Sequence, residues 1–180
     1  MKTEVVSKSS LRSRFGYSLS RGYSYDSVIR ESLSKTSAIT NYDVFLSHSH
    51  IDQELIFAFK NMLESADLTV YVDWLIESDR AGKSVTAANA QTIRTRMNQC
   101  SKMIYLHTKN ASESKWCPWE VGFFDALKGD VTVALIDDNP QRTTGQEYLN
   151  LYPRFIASPN AVINKYSFRE QTELKSDFAF

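Results

Sequence analysis

Ser114-Lys115-Trp116-Cys117-Pro118-Trp119-Glu120-Val121-Gly122-Phe123-Phe124-Asp125-Ala126-Leu127-Lys128-Gly129 reads as a helix punctuated at both ends. Pro118 suits a first helical position, where a missing N–H removes nothing the helix needs, and Gly129 suits a left-handed stop. Wound at helical pitch, Trp116, Phe123, Phe124 and Leu127 share one stripe, with Glu120 in its middle. A carboxylate on a buried helical face is costly unless something there uses it. The helix dipole and free N–H groups favour an acid in a first turn. That accounts for an acid near the helix start, not for one facing inward among aromatics. Glu120 is therefore the candidate functional carboxylate.

Working outward, Lys102 to His107 supplies an apolar strand before this helix, joined to it by the loop Thr108 to Lys115. Val131-Thr132-Val133-Ala134-Leu135-Ile136 supplies another after it, ending at Asp137-Asp138-Asn139-Pro140. Upstream, Tyr42-Asp43-Val44-Phe45-Leu46-Ser47 has the apolar texture of a strand covered on both faces. Ser49-His50-Ile51-Asp52 then offers capping chemistry to a helix carrying Leu55, Ile56, Phe59, Met62, Leu63 and Ala66 inward. A strand at Leu68 to Asp73 follows, then a polar connection from Trp74 to Lys83 with Gly82 as its pivot. Ser84 caps a helix that turns Val85, Ile93, Met97 and Cys100 to the core. Gln146 to Leu151 reads as a short helix stopped before Pro153, and Ala161-Val162-Ile163 as a fifth strand. Alternating strands and helices predict a flavodoxin-like, doubly wound, parallel five-stranded sheet. Its ligands collect beyond the carboxyl ends of the strands. Those ends carry Ser47-His48, Asp73-Trp74, His107-Thr108 and Asp137-Asp138, and Glu120 faces the same rim.

Residues 1–40 have a different texture: Ser-rich and Arg-containing, with seven Lys/Arg against three Asp/Glu, whereas 41–180 have fourteen against eighteen. They read as a flexible or loosely docked N-terminal extension, with a short helix at Tyr25 to Leu33, preceding a domain over 41–180. No apolar h-region marks a secretory signal, and no apolar run approaches a membrane span. Scattered basic residues make a poor nucleic-acid footprint. Cys100 and Cys117 form neither a disulfide framework nor a CxxC pair, so a reducing, cytoplasmic setting is expected.

Several chemistries drop out. No GxGxxG or GxxxxGK[ST] loop is present, and no GxSxG elbow. The strand ending Leu106-His107-Thr108 lacks the terminal aspartate of a phospho-acceptor receiver. His48, His50 and Asp52 fall short of a zinc set, so no metal is expected; His48 reads as shaping the rim by hydrogen bonding and His50 as an exposed loop residue. Ordinary glycoside hydrolysis needs two carboxylates, one to protonate a poor leaving group. Nicotinamide on NAD departs neutral without a proton, so one carboxylate suffices to hold the ribose and stabilise the developing cation. Phe45, Trp74 or Trp116 offers a flat surface for the ring. This chemistry is compatible with the residues rather than dictated by them.

Three stretches resemble the TIR (Toll/interleukin-1 receptor) domain family across about residues 41–165. Tyr42-Asp43-Val44-Phe45-Leu46-Ser47-His48-Ser49-His50 is similar to the family's first strand box. Val70-Tyr71-Val72-Asp73-Trp74, with the loop to Gly82-Lys83, is similar to its second strand and following loop. Ser114-Lys115-Trp116-Cys117-Pro118-Trp119-Glu120 is similar to the S-x-W-C-x-x-E box of enzymatic members. The resemblance implies cleavage of NAD, as substrate rather than cofactor, to nicotinamide and an ADP-ribose-derived signal nucleotide, with Glu120 catalytic. It implies Ser47 and His48 at the pocket floor, Asp73 and Trp74 opening its mobile wall, and Trp116 and Cys117 at the shoulder beside Glu120. Other readings stand beside these: Asp73 as a loop cap, Trp116 as core, and Cys117, where it is the preferred reading, as a packing residue. Ser78-Asp79-Arg80-Ala81-Gly82-Lys83 lacks the proline of adaptor-docking loops. The free-standing chain resembles bacterial TIR proteins of Thoeris-type antiphage defence, which implies TIR–TIR assembly and a separate effector protein activated by the product. Gly145 to Pro153 also resembles stretches of bacterial members. The alternatives are a non-catalytic TIR scaffold and a nucleoside deoxyribosyltransferase-like enzyme.

Overall fold

The computed structural model describes residues 5–16, 40–72, 86–137 and 146–155. In chain order they form β1 (Val5–Val6), α1 (Lys8–Phe15), β2 (Tyr42–Ser47), a 3-10 turn (His50–Asp52) and α2 (Gln53–Glu64). There follow β3 (Val70–Val72), α3 (Ala87–Asn98), β4 (Cys100–His107), the short α4 (Lys109–Ser112), α5 (Trp116–Lys128), β5 (Val131–Ile136) and a second 3-10 turn (Glu147–Leu151). The strands make one five-stranded sheet in the order β1-β5-β4-β2-β3. Every pairing is parallel, as the apolar, two-sided strands predict.

Period-two alternation divides the core into two layers. Val44, Leu46, Ile104, Leu106, Ala134 and Ile136 face α1 and α2, which bury Leu11, Leu55, Ile56, Phe59 and Leu63 against them. Phe45, Met103, Tyr105, Val131 and Val133 face the opposite way, against Ile93 and Met97 of α3 and Cys117, Val121 and Phe124 of α5. From β2 the chain steps outward to β3, then crosses back to β4 on the other side of β2. The topological switch point therefore lies between the carboxyl ends of β2 and β4, where open α/β sheets form their crevice.

The structure departs from the expectation for residues 1–40 over residues 5–16. Val5 and Val6 pair with Leu135 and Ile136 at the edge of β5. Helix α1 is capped by Ser7, whose side chain accepts from the Ser10 N–H. Leu11 enters the core at 3% exposure, and Asn61 Nδ2 donates to the Phe15 carbonyl at 3.0 Å. Burial of Val6 and Leu11 offsets the entropy of ordering this Ser-rich stretch. The same edge of β5 also receives Arg154, which bridges Val133. The edge thus has two partners, and the fifth strand of the described sheet is β1. The expected strand at 161–163 and helix at 25–33 lie outside the described residues.

Smaller differences concern helix starts. Thr86 caps α3, its side chain accepting from the Asn89 N–H, and Cys100 opens β4 rather than closing the helix. The stretch from 146 forms a 3-10 turn. Helix α5 begins at Trp116, two residues before Pro118. Pro118 remains among the first four residues, whose N–H groups have no intrahelical partner, so its ring is tolerated. Gly129 ends the helix at φ +68°, and its N–H closes on the Asp125 carbonyl. No helix among the described residues is long and apolar enough to cross a membrane.

Candidate active site

Glu120 lies on the inward face of α5, 4% exposed, between Cys117, Val121 and Phe124. That buried stripe is rotated from the expected one. Trp116 and Phe123 are only half-buried, and Leu127 is 38% exposed. The displaced aromatics pack along the helix instead: Trp116 edge-on to Trp119 at 5.3 Å, Trp119 stacked on Phe123 at 5.8 Å, and the Arg94 guanidinium over both Trp119 and Phe123. They join α5 to α3 sideways, leaving the smaller Cys117 and the carboxylate to face the sheet.

The carboxylate meets the last residue of β2. Ser47 Oγ donates to Glu120 Oε2 at 2.6 Å, with both groups buried. Hydrogen bonds to a carboxylate are short and strong, and this one offsets part of the cost of burying the charge. One turn earlier on α5, the Cys117 thiol donates to the His48 carbonyl at 3.1 Å. Cys117 is 0% exposed, so it fastens the helix to the strand end instead of presenting a thiol. His48 Nδ1 lies 2.9 Å from the Leu46 carbonyl, and the ring is buried. His50 opens the 3-10 turn and is exposed.

Phe45 sits two residues below Ser47, 1% exposed and stacked on Tyr71 at 5.6 Å. It supports the floor from inside the core and presents no open face. The structure therefore brings Ser47, His48, Cys117 and Glu120 together at the switch point. Trp116 lies at the start of α5 and Phe45 beneath the site. Asp73 and Trp74 lie outside the described residues.

Two neighbouring groups have no periodic signal in the sequence. Tyr105 is the register partner of Ser47 across β2 and β4 and is 0% exposed. Its hydroxyl donates to Gln146 Oε1 at 2.9 Å, and Gln146 is itself 4% exposed. Burial pushes the Tyr105 hydroxyl far above its ordinary value, with Cys117, Tyr148 and Glu120 acting in the same direction, so it stays a neutral donor. Tyr105 was legible only as part of the apolar strand Lys102 to His107. Gln146, a buried amide at the start of a 3-10 turn, was not legible.

Two residues further along β4, His107 is held below its ordinary value, first by burial and then by the Arg154 cation; the Gln146 side chain and Asp137 act the other way. Behind the rim, Asp52 accepts from the Thr108 hydroxyl and, at 2.8 Å, from Asn110 Nδ2. This strap ties the turn after β2 to the loop after β4, the two sides of the crevice. Among the described residues, no group of three His, Cys, Asp or Glu side chains is placed to hold a metal ion.

Chemically, the site offers a buried carboxylate held by the Ser47 hydroxyl, at the rim where open α/β sheets collect their ligands. That suits stabilisation of positive charge on a bound sugar.

A family model described as TIR domain matches residues 44–163. A Bacillus cereus (strain MSX-D12) protein named "Probable 3' cyclic ADP-D-ribose synthase ThsB'" is 38% identical over 114 residues, which cover 62% of this chain and 59% of that protein. A Cytobacillus dafuensis protein named "Putative cyclic ADP-D-ribose synthase TIR2" is 26% identical over 83 residues, covering 46% of this chain and 22% of that protein. The match thus spans about three-fifths of the first relative's length and about a fifth of the second's.

Proposed function

The chain belongs to the TIR domain family, matched over residues 44–163, and we propose that it is an enzyme that cleaves the nicotinamide–ribose bond of NAD to make a cyclic ADP-ribose signal. The observation that carries this reading is the Glu120 carboxylate, buried at the switch point and held by Ser47 at 2.6 Å. When the glycosidic bond opens, its electron pair leaves with nicotinamide, which departs neutral. Positive charge then develops on the ribose ring. A fixed carboxylate in a water-poor site stabilises that charge more than bulk water does, because its dipolar partner is already oriented. Ring closure enters from the names of the two relatives, and the 3' in the first points to a ribose hydroxyl as the acceptor. The resemblance of the chain's three boxes to bacterial Thoeris-type TIR proteins extends the proposal to antiphage defence, with a separate effector protein acted on by the product and assembly through TIR–TIR contacts.

The test is incubation of the purified protein with NAD, under crowding to promote assembly, followed by chromatography of nicotinamide and mass spectrometry of the nucleotide. Nicotinamide release with a cyclic nucleotide product is the expected result. Release that is absent in every condition, or equal in Glu120→Gln, overturns the reading; self-association without release makes the chain a scaffold.

A further inference from the structure

Asp52 occupies the N-cap position of α2, where an aspartate ordinarily turns its side chain onto the free N–H groups of its own helix. Here it makes no such bond. Its two oxygens reach instead across 56 and 58 positions of chain, one to the Thr108 hydroxyl and the other, at 2.8 Å, to Asn110 Nδ2. Thr108 is 3% exposed, and a hydrogen bond to a carboxylate in so enclosed a place is strong. A residue that forgoes its local preference for a distant partner points to a function.

The bonds continue from Thr108 into the first turn of α5. The Thr108 hydroxyl oxygen also accepts from the Ala111 N–H at 3.0 Å and so caps α4. The Ala111 carbonyl accepts from the Ser114 N–H at 3.2 Å, and Ser114 Oγ accepts from the Cys117 N–H at 3.3 Å. In parallel, the Asn110 carbonyl accepts from the Glu113 N–H at 3.2 Å. The Cys117 thiol closes the ring by donating to the carbonyl of His48, which precedes Asp52 in the same connection. Glu120 follows one turn after Cys117. The segment that joins β4 to the carboxylate is thus held at both ends by the connection that follows β2.

We infer that Asp52 is a positioning residue for Glu120: its carboxylate clamps Thr108 and Asn110, and through them seats the start of α5 so that Glu120 faces the switch point. The inference rests on the NAD-cleaving reading above. Asp52 acts through the helix and not on the reacting atoms. Misplacing a reacting group by about 1 Å costs about 10²-fold in rate, so the clamp governs turnover more than binding. Its donor pattern is specific, because Asp52 supplies two acceptors and the Asn110 amide supplies a facing donor. Asn110→Asp alone sets two carboxylates against each other. In Asp52→Asn/Asn110→Asp the new amide oxygen still accepts from Thr108, and the new amide nitrogen donates to the carboxylate now at position 110. Both bonds survive, one with its polarity reversed.

The test follows nicotinamide release from NAD, and labelling of Cys117 by a thiol reagent read by peptide mass spectrometry. Wild type, Asp52→Ala, Asn110→Asp and the double variant Asp52→Asn/Asn110→Asp are compared. In Asp52→Ala and Asn110→Asp, kcat falls about tenfold or more with KM within about twofold. Cys117, 0% exposed in the wild type, labels about tenfold faster in both. The double variant recovers most of both losses. Cys100, the other cysteine, is buried at the start of β4, and its unchanged labelling shows that the domain stays folded. An unchanged kcat in Asp52→Ala overturns the inference, as does a double variant no better than Asn110→Asp. Cys100 and Cys117 accelerating together means a purely structural role, and overturns it too. Should Asp52→Ala not fold, Asn110→Asp and the double variant decide. A wild type that releases no nicotinamide overturns the parent reading and the catalytic half of this one, while an unchanged Cys117 rate in Asn110→Asp overturns the seating of α5 by itself.

Discussion

Ser47 and Glu120, 73 positions apart in the chain, are joined by a 2.6 Å hydrogen bond between buried side chains. One sits at the last position of a central strand and the other in the second turn of a helix. The bond therefore reports how α5 is seated on the sheet as well as how the carboxylate is oriented. Cys117, donating to the His48 carbonyl one turn away, fixes the same seating from a second point. Two anchors hold the helix against both tilt and slide, so the carboxylate's position is set by the fold.

Glu120→Gln separates chemistry from packing. The amide has the size of the carboxylate, and its oxygen still accepts from Ser47, but it carries no charge for a developing cation. Nicotinamide release should fall about 10²–10³-fold, with the melting temperature nearly unchanged. Turnover counts and a thermal melt on the same preparation check this. Loss of activity together with loss of the fold would leave the proposed electrostatic role unsupported.

Ser47→Ala leaves a buried carboxylate oxygen without its donor, which should cost about 1–3 kcal/mol of stability. In the double variant with Glu120→Gln, the penalty should be smaller than the sum of the singles by about 0.5–3 kcal/mol. Denaturant midpoints for the four proteins complete the cycle. Strict additivity would mean that the two side chains are not coupled.

What was legible in the sequence follows from the range of each signal. Tyr42–Ser47 and Val131–Ile136 form strands with the expected bounds, because continuous apolar runs between polar ends need no distant information. The inward position of Glu120 was likewise local, since it depends only on helical pitch. Which aromatics accompany it was not. Trp116, Trp119 and Phe123 find each other and Arg94, a sideways pairing of two helices that one helix's periodicity cannot reveal. Tyr105 and Gln146 meet across 41 positions, and neither has a local feature that announces the other. The strand at Val5–Val6 is two residues long and pairs with a strand more than a hundred residues later. Its Ser-rich neighbourhood masks it.

Leu11→Ala tests whether residues 5–16 fold with the domain. Leu11 is 3% exposed within the core that includes Leu55 and Phe59, so truncation should cost about 2–5 kcal/mol. Arg12→Ala is the control. Its 2.9 Å pair with Glu54 is about half-exposed on each side, and its loss should cost about 0–1 kcal/mol. Chemical denaturation of both variants checks this, and a Leu11→Ala midpoint equal to wild type would return the segment to the status of a loose arm.

Cys100 should shape the alkaline limb of stability. Burial pushes its thiol up from 9.0 to about 12, against the opposing charges of Lys128 and Arg96. The folded acid thus keeps its proton in a range where the unfolded one has lost it. The unfolded state binds fewer protons there, so the contribution is whole below pH 9 and declines as pH rises toward 12. The limiting slope is about 1.4 kcal/mol per pH unit. Tyr152, raised to about 12 by burial and then by Asp125, adds to the decline above its ordinary value of 10.0, so the interval from pH 9 to 10 isolates the thiol best. Cys100→Ala also loses the Sγ–H bond to the Arg96 carbonyl, which lowers stability at every pH without changing the slope. Denaturant midpoints at pH 8, 9, 9.5 and 10 should show wild type and variant converging as pH rises, and parallel curves would rule the buried thiol out as the source.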